Sequence, residues 1–180
     1  ANVSGQKFSI GVADGAKPNA ANTLELSNTE LRRIVTTGAI TLGDPINDRG
    51  PGAANKGDMQ IVGPIDLTGV NDVLRLSAKG IAQADGATIT VQNLAAESWG
   101  PLALAEANQV THVALHAAGP GGSATFRSAA SGGLTLSSIT TSASISPFTT
   151  SGVTATGSIA LRSTGALSQA ANAPITGGTL

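Results

Sequence analysis

The clearest pattern in the chain lies in residues Asn71 to Leu136: NDVLRLSAKGIAQADGATITVQNLAAESWGPLALAEANQVTHVALHAAGPGGSATFRSAASGGLTL. Short aliphatic pairs recur in this stretch, and the two members of each pair are two residues apart, the spacing at which strand side chains return to one face. Residues such as Gly, Ala, Ser, Asn and Asp separate the pairs and turn the chain without filling much volume. The pattern predicts a coil of short β-strands. The pairs are Leu74/Leu76, Ile89/Val91, Leu102/Leu104, Val113/Leu115 and Leu134/Leu136.

The alternation also predicts which side chains point inward. The ten paired residues line the core, and the residues that face water are Arg75, Thr88, Thr90, His112 and Thr135. Asn108 is a predicted turn residue whose side chain could hydrogen-bond the next coil. Asn also tolerates the left-handed conformation, so formation of a local turn explains this residue equally well.

Weaker signals lie before this stretch. Alternation predicts strands around Phe8/Ile10, Leu24/Leu26 and Ile40/Leu42. Leu31 and Ile34 are three residues apart, which fits a single helical turn, but the β-branched residues and glycine that follow at 35–38 favour extended structure instead.

Composition limits the possible folds and functions. Hydrophobic residues make up 41% of the 180 residues and aromatic residues only 2%, so the core must be narrow and aliphatic. A formal net charge of −1 argues against nucleic-acid binding, which needs clustered Lys and Arg. There is no cysteine for disulfides or thiolate metal sites, and no apolar run long enough for membrane insertion. We expect a single β-solenoid segment, 1–180, of a longer protein.

Two segments depart from the regular pattern. Residues 44–60, DPINDRGPGAANKGDMQ, are predicted to form an insertion loop, either a solvated decoration or part of a binding face. Asp44, Asp48 and Asp58 lack the spacing of known calcium motifs, so no metal or other cofactor is expected. Residues 137–180 are rich in Ser and Thr and poor in charge, and they are predicted to form the final coils.

An internal match supports a repeat. LRLSAKGIAQADGATI, Leu74 to Ile89, aligns with IALRSTGALSQAANAPI, Ile159 to Ile175, after one insertion, and places Gln83 opposite Gln169. A divergent repeat of about twenty residues is typical of stacked coils.

The chain resembles a known family in the succession TELRRIVTTGAITLGD, QIVGPIDLTG, LRLSAKGIAQADGATITVQNLAAES, GPLALAEANQV and GGLTL. These segments are similar to the repeats of large filamentous-haemagglutinin-like exoproteins of Gram-negative bacteria, over about Leu24 to Leu136. The resemblance implies a right-handed parallel β-helix, two-partner secretion through an outer-membrane transporter, and a place in an adhesin or surface fibre. The family's Asn-Pro-Asn secretion signature has no counterpart, since KPNAAN at 17–22 differs from it. The segment is therefore expected to belong to the repeat shaft.

Catalytic signatures are sparse. His112 and His116 would lie about 13 Å apart on a strand, too far for one metal ion. There is no GxSxG motif, and the scarcity of aromatic residues argues against a polysaccharide-cleaving β-helix, the least favoured alternative. We expect no catalytic residues and no enzyme activity.

Two non-enzymatic functions remain. One is an adhesive shaft on the bacterial surface that contacts a host cell or matrix through the insertion loop or a Ser/Thr face. The other is a self-assembling filament subunit without a receptor. In either case the expected partners are further β-helix coils of the same or neighbouring chains.

The predicted register can be tested by substitution. Leu104→Asp places an unpaired charge in the core and is expected to cost several kcal/mol, whereas His112→Ala and His116→Ala should change stability little. Denaturant titration measures each free energy of unfolding. If the His variants unfold and Leu104→Asp is tolerated, the strand register is wrong by one residue.

Overall fold

The computed structural model describes residues 6–15, 21–43, 57–141 and 148–178. These residues form an all-β structure with one short helix. The elements in chain order are β1 Lys7–Val12, β2 Thr23–Ser27, α1 Asn28–Arg32, β3 Ile40–Gly43, β4 Met59–Ile61, β5 Ile65–Asp66, β6 Val73–Ala78, β7 Ile81–Gln83, β8 Ile89–Ser98, β9 Leu102–Ala117, β10 Ala124–Ser128, β11 Leu134–Leu136, β12 Ser138–Thr141, β13 Phe148–Ser151, β14 Val153–Ala155, β15 Ile159–Ser163, β16 Leu167–Gln169 and β17 Ile175–Thr176. The strands predicted near Phe8, Leu24 and Ile40 are therefore confirmed.

The strands stack in parallel rows. Row A contains, in spatial order, β2, β1, β4, β7, the start of β9, β10 and β15. Row B begins with β3, β6 and the second halves of β8 and β9. Both β11 and β14 then pair with β9, and they pair in turn with β16 and β17, respectively. Row C is short and contains β5, the start of β8 and the middle of β9.

One passage of the chain through these rows makes a rung. Ile81 pairs with Leu102, and Leu102 pairs with Ala124, so successive rungs begin about 21 or 22 residues apart. The predicted repeat length is close to this value. The rows together form a large parallel sheet that curls around an aliphatic core, as the alternating pairs predict.

Equivalent inward residues of successive rungs lie on one another in columns. All ten residues predicted to point inward are buried. One column in row B consists of Ile40, Leu74, Leu94, Val113 and Leu136, and the next consists of Leu42, Leu76, Ala96, Leu115 and Val153. Burial of each large aliphatic side chain stabilises the fold by roughly 1.5–3 kcal/mol, so the columns are the main source of stability.

The prediction that Arg75 faces water is wrong. Its side chain lies on the outer face of row B, as the alternation requires, but is only 1% exposed. The other residues predicted to face water, Thr88, Thr90, His112 and Thr135, are half-buried. A second layer covers part of the outer face, and strand alternation alone does not reveal it.

A helix occupies the segment for which extended structure was favoured. Ser27 caps α1: its hydroxyl accepts from Glu30 N–H, while the Glu30 carboxylate accepts from Ser27 N–H. This capping box favours a helix start strongly enough to outweigh the preference of the following β-branched residues for extended structure. Leu31 is fully buried in the core, and α1 contacts β1, β2 and β5, so the helix covers one end of the curled sheet.

Asn108 links three successive rungs. Its Oδ1 accepts from Gln83 Nε2 at 2.8 Å and from Ile89 N–H at 2.9 Å in the preceding rung. Its Nδ2 donates at 3.1 Å to the carbonyl of Arg127 in the next rung. The predicted bond to a neighbouring coil is therefore confirmed. A left-handed turn does not explain this residue, because Asn22 is the only non-glycine residue with positive φ in the described part of the chain.

The internal sequence match relates stretches that lie on different rows. Leu74–Ile89 runs from β6 in row B through β7 in row A to the start of β8. Residues 159–175 instead begin at β15 in row A, which stacks on β10. The prediction that these stretches are equivalent coils is therefore wrong.

A shared turn explains the match. Gln83 Nε2 donates to the carbonyl of Ala87 at 2.6 Å, and Gln169 Nε2 donates to the carbonyl of Ala173 at 2.8 Å. The same strand-and-turn unit thus recurs at different corners of the fold.

The predicted insertion loop lies mostly outside the described residues. This applies to Asp44 and Asp48 and to positions 44–56 as a whole. Asp58 is described and exposed, and Met59 and Gln60 already belong to β4. The Ser/Thr-rich segment 137–180 supplies the hairpin described below and the strands β14 to β17.

Removal of the Asn108 side chain tests its role between rungs. Asn108→Ala leaves buried backbone groups without hydrogen-bond partners, and each such group costs about 1–3 kcal/mol. The free energy of unfolding of this variant should therefore be several kcal/mol lower than that of the native chain. Asn172→Ala, in an exposed turn, is the matched control and should change stability by less than about 0.5 kcal/mol. Equal effects of the two substitutions in denaturant titrations would contradict the role assigned to Asn108.

Candidate functional site

A β-hairpin interrupts row B between β11 and β14. Its strands, β12 and β13, pair antiparallel and contact the outer faces of β8 and β9. Ile139 of β12 packs on Val73, Ala95 and Ala114, which belong to three successive rungs. The hairpin is therefore a strap across the sheet, and it buries the outer face that sequence alternation assigned to solvent.

A buried ion pair lies on the face that the strap covers. Arg75 Nη2 donates to Glu97 Oε2 at 2.9 Å, and both side chains are about 1% exposed. The Thr150 hydroxyl of β13 donates to Glu97 Oε1. Both carboxylate oxygens of Glu97 thus accept hydrogen bonds, which fixes this carboxylate in a structural role and ties the strap to the sheet.

A concave surface lies beside the strap. It is a groove of about 920 Å³, lined by residues 36–39 after α1, residues 69–73 before β6, and Thr140 of β12. The distal part of the strap and two loops at the start of row B form its walls. We define these residues as the groove.

Two side chains hold the walls of the groove together. Asn71 is buried, and its Nδ2 donates to the carbonyls of Thr36 at 3.3 Å and Gly38 at 2.9 Å. Arg32 Nη1 donates to the carbonyl of Asp66 at 2.7 Å and to that of Thr68 at 3.3 Å, so α1 is bound to the end of β5 and to the loop that follows it. The two walls are therefore positioned relative to each other before any ligand arrives.

Asp66 stabilises the same loop. Hydrogen bonds from the Thr68 hydroxyl and then from the Thr68 N–H lower the pKa of Asp66, with a smaller contribution from Arg32. Because its pKa is lower in the folded state, this carboxylate stabilises the fold above the ordinary Asp pKa. That contribution is lost as the pH falls through the folded-state pKa.

The groove presents mainly hydroxyl and backbone groups. Thr36, Thr37 and Thr140 supply hydroxyls, while Val70 and Val73 supply small apolar areas. In the described part of the lining, Asp72 is the single charged residue, and it is exposed. Such a surface can bind a polar, uncharged molecule.

A smaller cavity lies on the other side of the strap. It measures about 230 Å³ and is lined by Thr149, Thr150, Ser151, Thr154 and His116. The hydroxyl of Thr140, at the groove, and that of Thr149, at the cavity, are 2.8 Å apart.

The two histidines occupy different surroundings. His116 lines the small cavity and pairs in register with Glu97 and Thr154. His112 lies next to the Thr111 hydroxyl, at 3.1 Å, and outside that cavity. Among the described residues, no group of three or more His, Cys, Asp and Glu side chains could hold a metal ion.

Sequence alternation did not reveal the groove or the strap. Ser138–Thr141 and Phe148–Ser151 contain no aliphatic pair at the spacing of two, and the strap is held by hydroxyl pairs such as Ser138 with Ser151 at 2.7 Å. Alternating Ser and Thr on both sides of a short spacer is the signal that could have predicted this hairpin.

Comparison with known proteins identifies no relative. No protein-family model matches the chain, and no curated protein or solved structure is significantly similar to it. In the part of the chain that the structure describes, no helix is long and apolar enough to cross a membrane.

The buried ion pair can be tested by a double-mutant cycle. Arg75→Met or Glu97→Leu should each lower the free energy of unfolding by about 3–5 kcal/mol, because each leaves a buried group without its partner. The double variant Arg75→Met/Glu97→Leu should cost less than the sum of the single effects. Arg127→Met, at an exposed position, is the control. Additive effects in denaturant titrations would show that the two side chains do not depend on each other.

Proposed function

We propose that this chain is a segment of right-handed parallel β-helix that serves as a rigid, adhesive shaft in a large secreted bacterial surface protein. The proposal includes passage through an outer-membrane transporter and a final position at the cell surface. It assigns the sheet a structural role and the outer face a binding role.

The in-register columns carry this proposal. Ile40, Leu74, Leu94, Val113 and Leu136 pair in succession across five rungs, and each is buried. A core of this form can lengthen by adding rungs without changing its cross-section. It therefore suits a long rod better than a closed globule.

The groove supports the adhesive part of the proposal. It lies on the outer face, where a partner can reach it, and its walls are held by Asn71 and Arg32. Binding surfaces built by loops on a rigid scaffold are common in repeat proteins.

The second candidate is a self-assembling filament subunit without a receptor. Leu167 and Ile175 are 51% and 50% exposed, although their partners Leu134 and Val153 in the preceding rung are buried. The edge formed by β15, β16 and β17 therefore presents aliphatic side chains that a further rung would cover. α1 covers the opposite end of the core, so stacking at the two ends is not equivalent.

Adhesion and assembly can be separated experimentally. An adhesive shaft predicts saturable binding of the soluble fragment to host cells or extracellular matrix at concentrations where light scattering shows no filaments. Electron microscopy over a concentration series measures assembly. Filaments without any saturable binding would favour the filament subunit, and a compact particle that neither binds nor stacks would contradict both functions.

A further inference from the structure

We propose that the groove binds a short, uncharged saccharide. This inference rests on the adhesive role proposed above and names the chemical class of the ligand. It is carried by the size, the lining and the charge of the groove.

The size fits an oligosaccharide of a few units. A volume of about 920 Å³ lies at the upper end of the range typical of small-molecule sites, which is about 300–1,000 Å³. The cavity of about 230 Å³ beside His116 is below that range. The groove is therefore the better of the two sites for a ligand larger than a single ring.

The lining fits sugar hydroxyls. Threonine hydroxyls both donate and accept hydrogen bonds, and the Asp72 carboxylate accepts them, so together they can satisfy groups that are donors and acceptors at once. Val70 and Val73 offer apolar contact for the carbon side of a sugar ring. Gly38, Ala39 and Gly69 leave the space open because they have little or no side chain.

The charge of the groove disfavours anionic ligands. Among the described residues that line the groove, Asp72 is the only charged one, and none is Lys or Arg. Its carboxylate would repel phosphate groups and acidic sugars at close range. The neighbouring cation Arg32 donates to the backbone carbonyls of Asp66 and Thr68, which lie outside the lining. Nucleic acid and sulfated or sialylated chains therefore fit less well than neutral saccharides.

The site is also preorganised. Asn71 joins the two loops through the carbonyls of Thr36 and Gly38, and its Oδ1 accepts from Val73 N–H at 2.9 Å. Loops already held in place lose little conformational entropy on binding, which favours weak polar ligands such as sugars.

Gly69 allows a blocking substitution with a matched control. Gly69 has φ +71 and Gly86 has φ +74, and an added Cβ meets no atom within 4 Å at either position. Asn tolerates this conformation, so Gly69→Asn adds a side chain to the lining of the groove, and Gly86→Asn makes the same change at a turn elsewhere. Asp72→Asn tests the carboxylate, with Asp85→Asn in an exposed turn as its control.

The experiment is a titration of the whole chain, followed by NMR, with lactose, N-acetyllactosamine, cellotriose and mannotriose as neutral probes and sialyllactose as the charged counterpart of lactose. We expect at least one neutral probe to bind with a Kd of about 1 mM or tighter. Gly69→Asn should weaken that binding about tenfold or more, Asp72→Asn severalfold, and the two control variants less than about twofold. Sialyllactose should bind more weakly than lactose to the native chain, and Asp72→Asn should reduce that difference.

Two results would overturn the inference. One is that no neutral probe binds at about 10 mM. The other is that Gly69→Asn, folded by circular dichroism, binds as tightly as Gly86→Asn. The adhesive function would survive either result if saturable cell binding persists. It fails separately if cell binding is absent while a saccharide occupies the groove.

Discussion

The structure depends on the register between successive rungs. Each inward aliphatic side chain lies on its equivalents above and below, so the core consists of columns such as Leu42, Leu76, Ala96, Leu115 and Val153. A slip of one residue in any strand would turn its aliphatic side chains outward and its polar side chains inward. The backbone hydrogen bonds between strands could form equally well after such a slip, but the buried columns would be lost.

Polar groups also reinforce this register. Asn108 is buried at a corner and joins its own rung to the rungs on both sides. On the outer face, the strap crosses the strands and contacts three rungs through Ile139, while Thr150 reaches the buried pair of Arg75 and Glu97. The strap also supplies Thr140 to the groove. The element that stabilises the stack thus also shapes the surface proposed to bind a ligand.

The sequence predicts the features that follow from strand alternation, chiefly which side chains point inward, and little else. The inward columns followed from aliphatic pairs. The bond from Asn108 to a neighbouring coil followed from its residue type, although the residue lies within β9 and not in a turn. The burial of Arg75 could not be predicted, because it depends on a hairpin 63 residues later in the chain whose strands carry Ser and Thr rather than aliphatic pairs. The match between Gln83 and Gln169 was misleading because the same strand-and-turn unit occurs on different rows. The groove joins segments 36–39, 69–73 and 140, which no local pattern connects.

Successive rungs are parallel and in register, and disulfide cross-linking can test this arrangement because the chain has no cysteine of its own. Ala103 and Thr125 are direct partners in adjacent rungs, whereas Ala82 and Thr125 lie two rungs, or about 10 Å, apart. Disulfides form when the Cα atoms are within about 7 Å. We expect rapid cross-linking in Ala103→Cys/Thr125→Cys and none in Ala82→Cys/Thr125→Cys. Failure of the first pair, or equal cross-linking of both pairs, would contradict this arrangement.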